Sequence, residues 1–296
     1  MSRRRRKSRA PAALGGVILA ALALLAGYFG LELPGTQQTL PPQDGEMSLV
    51  VLDVGQGDSL LLHSEGQWAL VDAGTADSAD AILQALDEYG VESLALAVAT
   101  HPHADHIGSM AEVLDACPPA VFWMPDADHT SQTYENMLDA AERSGADAVL
   151  AGAGDTFTLG SMHITVLSPP EGADLGDELN NASLVLLCEG AGVRFLLTGD
   201  AEAPMEEIML QNGLPQVDVL KVGHHGSVTS SSKAFIEALS PAYAAISCGV
   251  GNSYGHPDPE TLETLESVGA QVLRTDTQGT LVFNASGGQI DVQTER

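Results

Sequence analysis

Residues 101 to 106 read His-Pro-His-Ala-Asp-His, directly behind the apolar run Leu94-Ala-Leu-Ala-Val-Ala-Thr100. Three of the chain's nine histidines fall within these six residues, interleaved with one carboxylate. A short apolar run that ends in polar groups is the pattern of a buried strand opening onto a site. Side chains alternate with period two along extended backbone, so His101 and His103 point the same way. Asp105 and His106 follow at the turn and can face a second ion. Imidazole and carboxylate are the ligands of catalytic zinc-type sites, which keep one position open for water. A solvated histidine-rich loop is the bland alternative, and it accounts for neither the spacing nor the preceding strand. The hexapeptide reads as the metal site of a hydrolase.

Four further segments repeat this design, an apolar strand running into a short polar or glycine-rich turn. Asp72 closes Trp68-Ala-Leu-Val-Asp72, and Asp200 closes Phe195-Leu-Leu-Thr-Gly-Asp200. A strand-end carboxylate can bridge two cations held about 3.5–4 Å apart. His224 and His225 follow Val219-Leu-Lys-Val-Gly, and His256 sits in Tyr254-Gly-His-Pro257. Neighbouring histidines point in different directions, so only one of the His224–His225 pair binds a given ion. Asp72 is either a turn-forming aspartate or the orienter of a ligating histidine. Lys221 is either an exposed strand-end lysine or a phosphate contact. Gly55-Gln-Gly57-Asp58 is a rigid turn near the expected site, either a substrate contact or, as the first reading, a purely structural turn. His63, His129 and His163 lack such settings and read as surface or packing residues.

Charge is distributed unevenly. Arg3, Arg4, Arg5, Arg6, Lys7 and Arg9 supply six of the twelve basic residues, and no acid precedes Glu32. From Glu32 onward six basic residues face forty acidic ones. Such a surface repels polyanions at long range, and phosphate neutralisation is what usually supplies non-specific nucleic-acid affinity. Bound divalent ions could offset this only at the site itself. Leu14 to Leu31 is an uncharged apolar stretch of eighteen residues. With Ala12 and Ala13 it is long enough to span a bilayer. The basic block should stay cytoplasmic, leaving the body outside. The expected layout is a cytoplasmic segment 1–11, a transmembrane signal anchor 12–31, a linker 32–46 and a hydrolase domain 47–296, single-pass in the cell membrane. A cleaved signal peptide is the alternative. Cys117, Cys188 and Cys248 form no Cys-x-x-Cys pattern and read as buried thiols.

Ser48–Val54, Ser59–His63 and Trp68–Val71 read as consecutive strands, Ala79–Tyr89 and His106–Ala116 as helices. Strands and helices then alternate to the end. Each half of the body starts with strands and continues with alternating helix and strand. This predicts an α/β fold of two mixed β-sheets packed together with helices outside.

The pattern His101-x-His103-x-Asp105-His106, followed in order by Asp200 and His225 and preceded by Asp72, resembles the metallo-β-lactamase fold superfamily. More narrowly, Leu52-Asp-Val-Gly-Gln-Gly-Asp58-Ser59, Asn181-Ala-Ser183-Leu-Val-Leu, Leu197-Thr-Gly-Asp200 and His224-His-Gly-Ser227 resemble the hydrolase domain of ComEC-type DNA-uptake proteins. Secreted phosphorylcholine esterases of cell-wall teichoic acid share much of this pattern. The resemblance implies an αββα sandwich with its site at the edge where the sheets meet. It implies two divalent ions, zinc or manganese. His101 and His103 would bind the first, Asp105, His106 and His225 the second, and Asp200 would bridge them. Many members carry another histidine in the central region, where this chain has Asn181 or its neighbour Asn180. Oxygen-rich coordination makes manganese plausible beside zinc.

The activity implied is phosphodiester hydrolysis. Asp105 would handle protons as well as ligate, and His224 or His256 would neutralise charge on the phosphoryl oxygens. Lys221 would reach the phosphate, Asp72 would orient a ligating histidine, and Asn181 and Ser183 would lie beside the substrate or behind the ligands. Single-stranded DNA outside the cell is the first substrate class. Cell-wall or small phosphodiesters are the second, and carbonyl hydrolysis of lactones, thioesters or lactams the third. The multi-spanning channel of DNA-uptake proteins has no counterpart in this chain, and one helix forms no pore.

Overall fold

Strands that are apolar on both faces need a layer on each side. Along Met47–Val51 (β1), Leu49 and Val51 join one buried cluster while Val50 joins another. Leu60–Ser64 (β2) and Gln67–Val71 (β3) split the same way, Leu62 and Val71 to one side, Leu61 and Leu70 to the other. The computed structural model describes residues 46–173, 175 and 179–296. The expected basic segment 1–11, the anchor 12–31 and all of the linker except Glu46 lie outside the described residues. Among the described residues no helix is long and apolar enough to cross a membrane.

The first sheet adds Leu94–Val98 (β4), Pro119–Met124 (β5), Asp147–Leu150 (β6), Leu281–Ser286 (β14) and Gln289–Thr294 (β15). Its order is β15-β14-β1-β2-β3-β4-β5-β6, antiparallel as far as β3 and parallel from there. The second sheet comprises Thr156–Leu159 (β7), Met162–Ser168 (β8), Val185–Gly190 (β9), Val193–Leu197 (β10), Val219–Lys221 (β11), Tyr243–Ile246 (β12) and Gln271–Arg274 (β13). It runs β13-β12-β11-β10-β9-β8-β7, with its parallel half from β10 to β13.

Between the sheets, Leu49, Leu62 and Val71 meet Leu186, Phe195 and Val219. Helices Ala79–Glu88 (α1), Ala104–Ile107 (α2), Met110–Ala116 (α3) and Gln132–Ser144 (α4) cover the outer face of the first sheet through residues such as Ile82, Val113 and Met137. Ala203–Asn212 (α5), Lys233–Leu239 (α6) and Pro259–Ser267 (α7) cover the second through Met205, Ile236 and Leu265. The expected pair of mixed sheets flanked by helices is what the chain forms.

Three local expectations are corrected. The helix expected over His106–Ala116 is broken into α2 and α3 at Gly108 and Ser109. Their N–H groups donate to Gly74 and Ala73 carbonyls at 2.7 and 3.2 Å, so this backbone is docked on the loop after β3. A Cβ on Gly108 would sit 2.3 Å from Thr75 carbonyl carbon, which keeps the approach open to glycine alone. Strand β15 was not expected, because its sequence is polar apart from Ile290 and Val292, which pack on the core from the sheet edge. The short helix Thr275–Gln278 (α8) also lacked an apolar period. The carboxyl ends of β3, β4, β10, β11 and β12 converge at one edge of the sandwich, the position where open parallel sheets place their ligands.

Candidate metal centre

His101, His106, Asp200 and His225 are buried at that edge, and Asp105 and His103 are partly exposed beside them. Asp72 ends β3 and is fully buried. Its Oδ1 accepts the Thr100 N–H at 2.8 Å, and its Oδ2 accepts the Thr100 hydroxyl at 2.7 Å and faces His106 Nδ1 at 2.7 Å. A proton on His106 Nδ1 is thus fixed by Asp72, which leaves Nε2 free on the side of Asp200. His101 is held by Thr100 Oγ1 and Ser183 Oγ, 3.1 and 3.3 Å from its Nδ1. Ser183 Oγ also accepts the Asp200 N–H at 3.0 Å, so one hydroxyl sets both groups. On the second sheet, His225 Nδ1 lies 3.0 Å from the Ser247 carbonyl and 3.3 Å from Asp58 Oδ1.

The free atoms face one another. Asp200 oxygens lie 3.2 Å from His106 Nε2, 3.8 Å from His225 Nε2 and 3.9 Å from His101 Nε2. Asp105 Oδ2 lies 3.3 Å from His225 Nε2, and His103 Nδ1 lies 3.1 Å from His101 Nε2. Ligands at zinc-like bond lengths around a tetrahedral ion are separated by about 3.3 Å, so these spacings suit a shared cation. His106 Nε2, His225 Nε2 and Asp200 Oδ1 are buried without any hydrogen-bond partner. Such groups are costly unless something binds them. Ligand atoms of His101, His106 and Asp200 cluster, as do those of Asp105, His106 and His225. The residues present fit divalent metal ions.

Electrostatics point the same way. Burial pulls His225 down, yet Asp200, Asp105 and Asp58 outweigh it and push its pKa up to about 9. Burial likewise opposes the charged form of His106, but Asp200 and Asp72 hold its pKa well above the ordinary value. His101, buried and beside His106, is held well below it. The carboxylates at this edge call for positive charge, which a proton or a metal ion supplies.

A cleft of about 290 Å³ opens over this cluster, bounded among others by Asn180, His224, His256, Gln56 and Tyr254. His224 is a quarter exposed, with Nε2 3.8 Å from Asp200 Oδ2 and Nδ1 3.0 Å from Thr229 Oγ1. His256 is fixed through its backbone by Asn252, which accepts its N–H at 3.1 Å and donates to its carbonyl at 2.6 Å. Both expected imidazoles therefore border the cleft.

Two expected site residues are placed elsewhere. Lys221 is not exposed and does not line the cleft. It is fully buried, with Nζ 2.7 Å from Asp58 Oδ2, because β11 runs through the middle of the second sheet. Asn181 accepts the Glu202 N–H at 3.3 Å, and Asn180 is the amide at the cleft, donating to Glu202 Oε1 at 3.1 Å. The short 3₁₀ turn Leu179–Ala182 decides which of the two amides faces the site. Sequence reasoning missed Thr100, whose signal was its place immediately before His101 at a strand end. It also took Asp58 for a turn residue, since its burial against Lys221 is set by a strand 163 positions away. Ser183 stands behind His101, its Oγ 3.3 Å from Nδ1. The three cysteines are free and buried.

Residues 52–250 match the family model of the metallo-beta-lactamase superfamily. Among curated proteins, the chain is 33% identical over 261 residues to ComE operon protein 3 of Bacillus subtilis, covering 81% of this chain and 33% of that one. It is 30% identical over 279 residues to competence protein ComA of Neisseria gonorrhoeae, covering 93% and 37%. Recombination protein 2 of Haemophilus influenzae matches at 30% over 249 residues. The chain spans about a third of the length of these curated relatives. Among solved structures, CmlA, a diiron beta-hydroxylase from Streptomyces venezuelae, superposes with a TM-score of 0.56 at 15% identity, over 90% of this chain and 60% of that one. Igni18, a metallo hydrolase from Ignicoccus hospitalis, superposes with a TM-score of 0.51 at 16% identity, over 80% and 99%. These two likenesses concern the fold alone. With the matched span, the layers and the His/Asp cluster in agreement, the chain belongs to the metallo-beta-lactamase superfamily, as a metal-dependent hydrolase related to competence proteins.

Proposed function

We propose that the chain is a two-metal phosphodiesterase acting on short single-stranded nucleotide segments. His101, His103 and Asp200 would hold one divalent ion, zinc or manganese, and Asp105, His106 and His225 with Asp200 the other. Bound there, such ions acidify water and neutralise charge developing on a phosphoryl group. The observation that carries the phosphodiester reading is the wall of the cleft. His224 and His256 border it in addition to the ligand set, as hydrogen-bond donors suited to phosphoryl oxygens. Asp105 is a third exposed at the cleft floor, and His225, 3.3 Å away, and His106 hold it ionised against burial, so its carboxylate faces the cleft as an acceptor for a water positioned there.

Two further observations set the expected size of the substrate. Arg143, Arg194, Lys221, Lys233, Arg274 and Arg296 are the only basic residues after Glu32, and each lies within 3.7 Å of a carboxylate. No cationic track for a long polyanion exists among the described residues, which favours a short segment or a small phosphodiester. Tyr254, 68% exposed, stacks on His256 with ring centroids 5.7 Å apart, and this aromatic step at the cleft mouth can take a base. The competence proteins among the relatives support a nucleic-acid substrate and a place in DNA uptake. We place the hydrolase outside the cell, tethered by segment 12–31. Protease accessibility of the body on intact cells tests that placement.

The test of activity compares the purified chain with His103→Ala, each loaded with manganese or zinc, on bis-p-nitrophenyl phosphate and labelled single-stranded DNA at several salt concentrations. Metal-dependent cleavage of both, lost in the variant, is the expected result. Cleavage of the small ester alone would move the substrate to cell-wall or small phosphodiesters. Cleavage of neither would overturn the phosphodiester reading in favour of a carbonyl substrate.

A further inference from the structure

The mechanism above leaves one buried ionic pair unused. Lys221 and Asp58 are both fully enclosed, with Nζ 2.7 Å from Asp58 Oδ2. Lys221 also donates to the Val222 carbonyl at 3.0 Å. The other Asp58 oxygen lies 3.3 Å from His225 Nδ1. Asp58 itself is locked in place. Its N–H donates to the Asp105 carbonyl at 3.1 Å, and its carbonyl accepts the Gly74 N–H at 2.7 Å. A Cβ on the preceding Gly57 would lie 2.4 Å from the Asp105 carbonyl oxygen, and Ser247 Oγ donates to the Gly57 carbonyl at 2.6 Å. The Gly57–Asp58 segment therefore touches both Asp105 and the carbonyl-bearing residue that holds His225.

Asp58 is also close enough to the site to become a ligand itself. Its carboxylate forms a metal-competent group with Asp200 and His225, and another with Asp72 and His106. A carboxylate so placed would draw an ion away from the cleft, where no substrate reaches it. The Lys221 side chain, tethered to the chain, occupies that carboxylate. A buried ammonium of this kind is tolerated only when paired, and here its partner faces a ligand-type histidine.

We propose that Lys221 is a positioning residue: by occupying Asp58 it keeps that carboxylate out of metal coordination and beside the ring that the Ser247 carbonyl holds at Nδ1, so that His225 offers Nε2 to the ion. The proposal rests on the reading of His225 as a metal ligand. Metal number and affinity are measured by chelator competition with manganese and zinc on the wild-type chain, His225→Ala, Lys221→Met, and the double variant Asp58→Leu/Lys221→Met. The double variant replaces the pair by apolar groups of similar shape, which folds tolerate. It is expected to melt cooperatively and to bind the more weakly held ion about 10- to 100-fold less tightly, as removal of a ligand's supporting partner does. Lys221→Met alone is expected to take up an additional ion on the freed Asp58. Wild-type affinity and number in the folded double variant would overturn the proposal and leave the pair a packing element. Unchanged binding by His225→Ala would instead overturn the ligand reading on which it rests. Should the variants not fold, the zinc-loaded wild-type chain decides alone. Nitrogen-edited NMR of the imidazoles is expected to place the His225 ring proton on Nδ1, in slow exchange, and a proton on Nε2 would overturn the proposal.

Discussion

His106 and His225 approach Asp200 from opposite sheets, and each has a buried carboxylate beside its Nδ1: Asp72 bonds His106 at 2.7 Å, while Asp58 lies 3.3 Å from His225, whose Nδ1 bonds the Ser247 carbonyl. The two carboxylates are balanced differently. Asp72 behind His106 is satisfied by neutral donors, the Thr100 N–H and hydroxyl. Asp58 behind His225 is instead ion-paired with Lys221. The titration of the two carboxyls reflects this. Burial raises Asp72 above the usual range, and His106 opposes it without prevailing. Burial pushes Asp58 up as well, but Lys221 and then His225 overcome it and hold the pKa at about 2. At Asp72 the Thr100 donors and His106 together do not offset desolvation, whereas at Asp58 the Lys221 ammonium with His225 and His106 does. Asp72 thus keeps an uncompensated charge to spend on His106, and Asp58 shares its charge between Lys221 and His225.

The largest effect is expected from Asp72→Ala. It strands Thr100 N–H, the Thr100 hydroxyl and His106 Nδ1 in a buried place, for a loss of about 3–5 kcal/mol in the metal-free chain, read by urea unfolding. Lys221→Met is expected to cost less, about 2–3 kcal/mol at pH 7, because Asp58 can take up a proton. Its pH dependence sharpens the comparison. In the wild-type chain Asp58 has a depressed pKa, so its contribution is present above pH 3.8 and lost as pH falls toward 2. Without Lys221 the pKa rises above the unfolded value, so the variant should gain stability on acidification from pH 7. A wild-type slope in the variant would break the contrast between the two carboxylates. Thr100→Val removes one neutral donor and is expected to cost about 1–2 kcal/mol. Tyr254→Ala, outside both networks, should leave stability within about 0.5 kcal/mol while raising KM for a nucleotide ester and leaving that for bis-p-nitrophenyl phosphate unchanged.

How much of this was legible in the sequence follows the range of the forces involved. The apolar runs around Leu94–Val98 and Phe195–Leu197 announce buried strands, and residues at their ends announce a site, because periodicity and composition are local. His101, His103, Asp105 and His106 could be read for the same reason. Lys221 could not, since its role is set by Asp58, 163 positions away, and nothing local marks a lysine as buried. The choice between Asn180 and Asn181 depends on one turn of 3₁₀ helix, a rotation that no pattern encodes. The break between α2 and α3 depends on tertiary backbone contacts to Ala73 and Gly74.

The central claim is that Asp200 joins two ions within one site. Manganese titrated into the metal-stripped chain and followed by electron paramagnetic resonance tests it directly. Two ions sharing Asp200 at about 3.5–4 Å are expected to give the spectrum of an exchange-coupled pair at two ions per chain, absent in Asp200→Ala. Saturation at a single isolated ion, or a coupled pair that survives Asp200→Ala, would contradict the account.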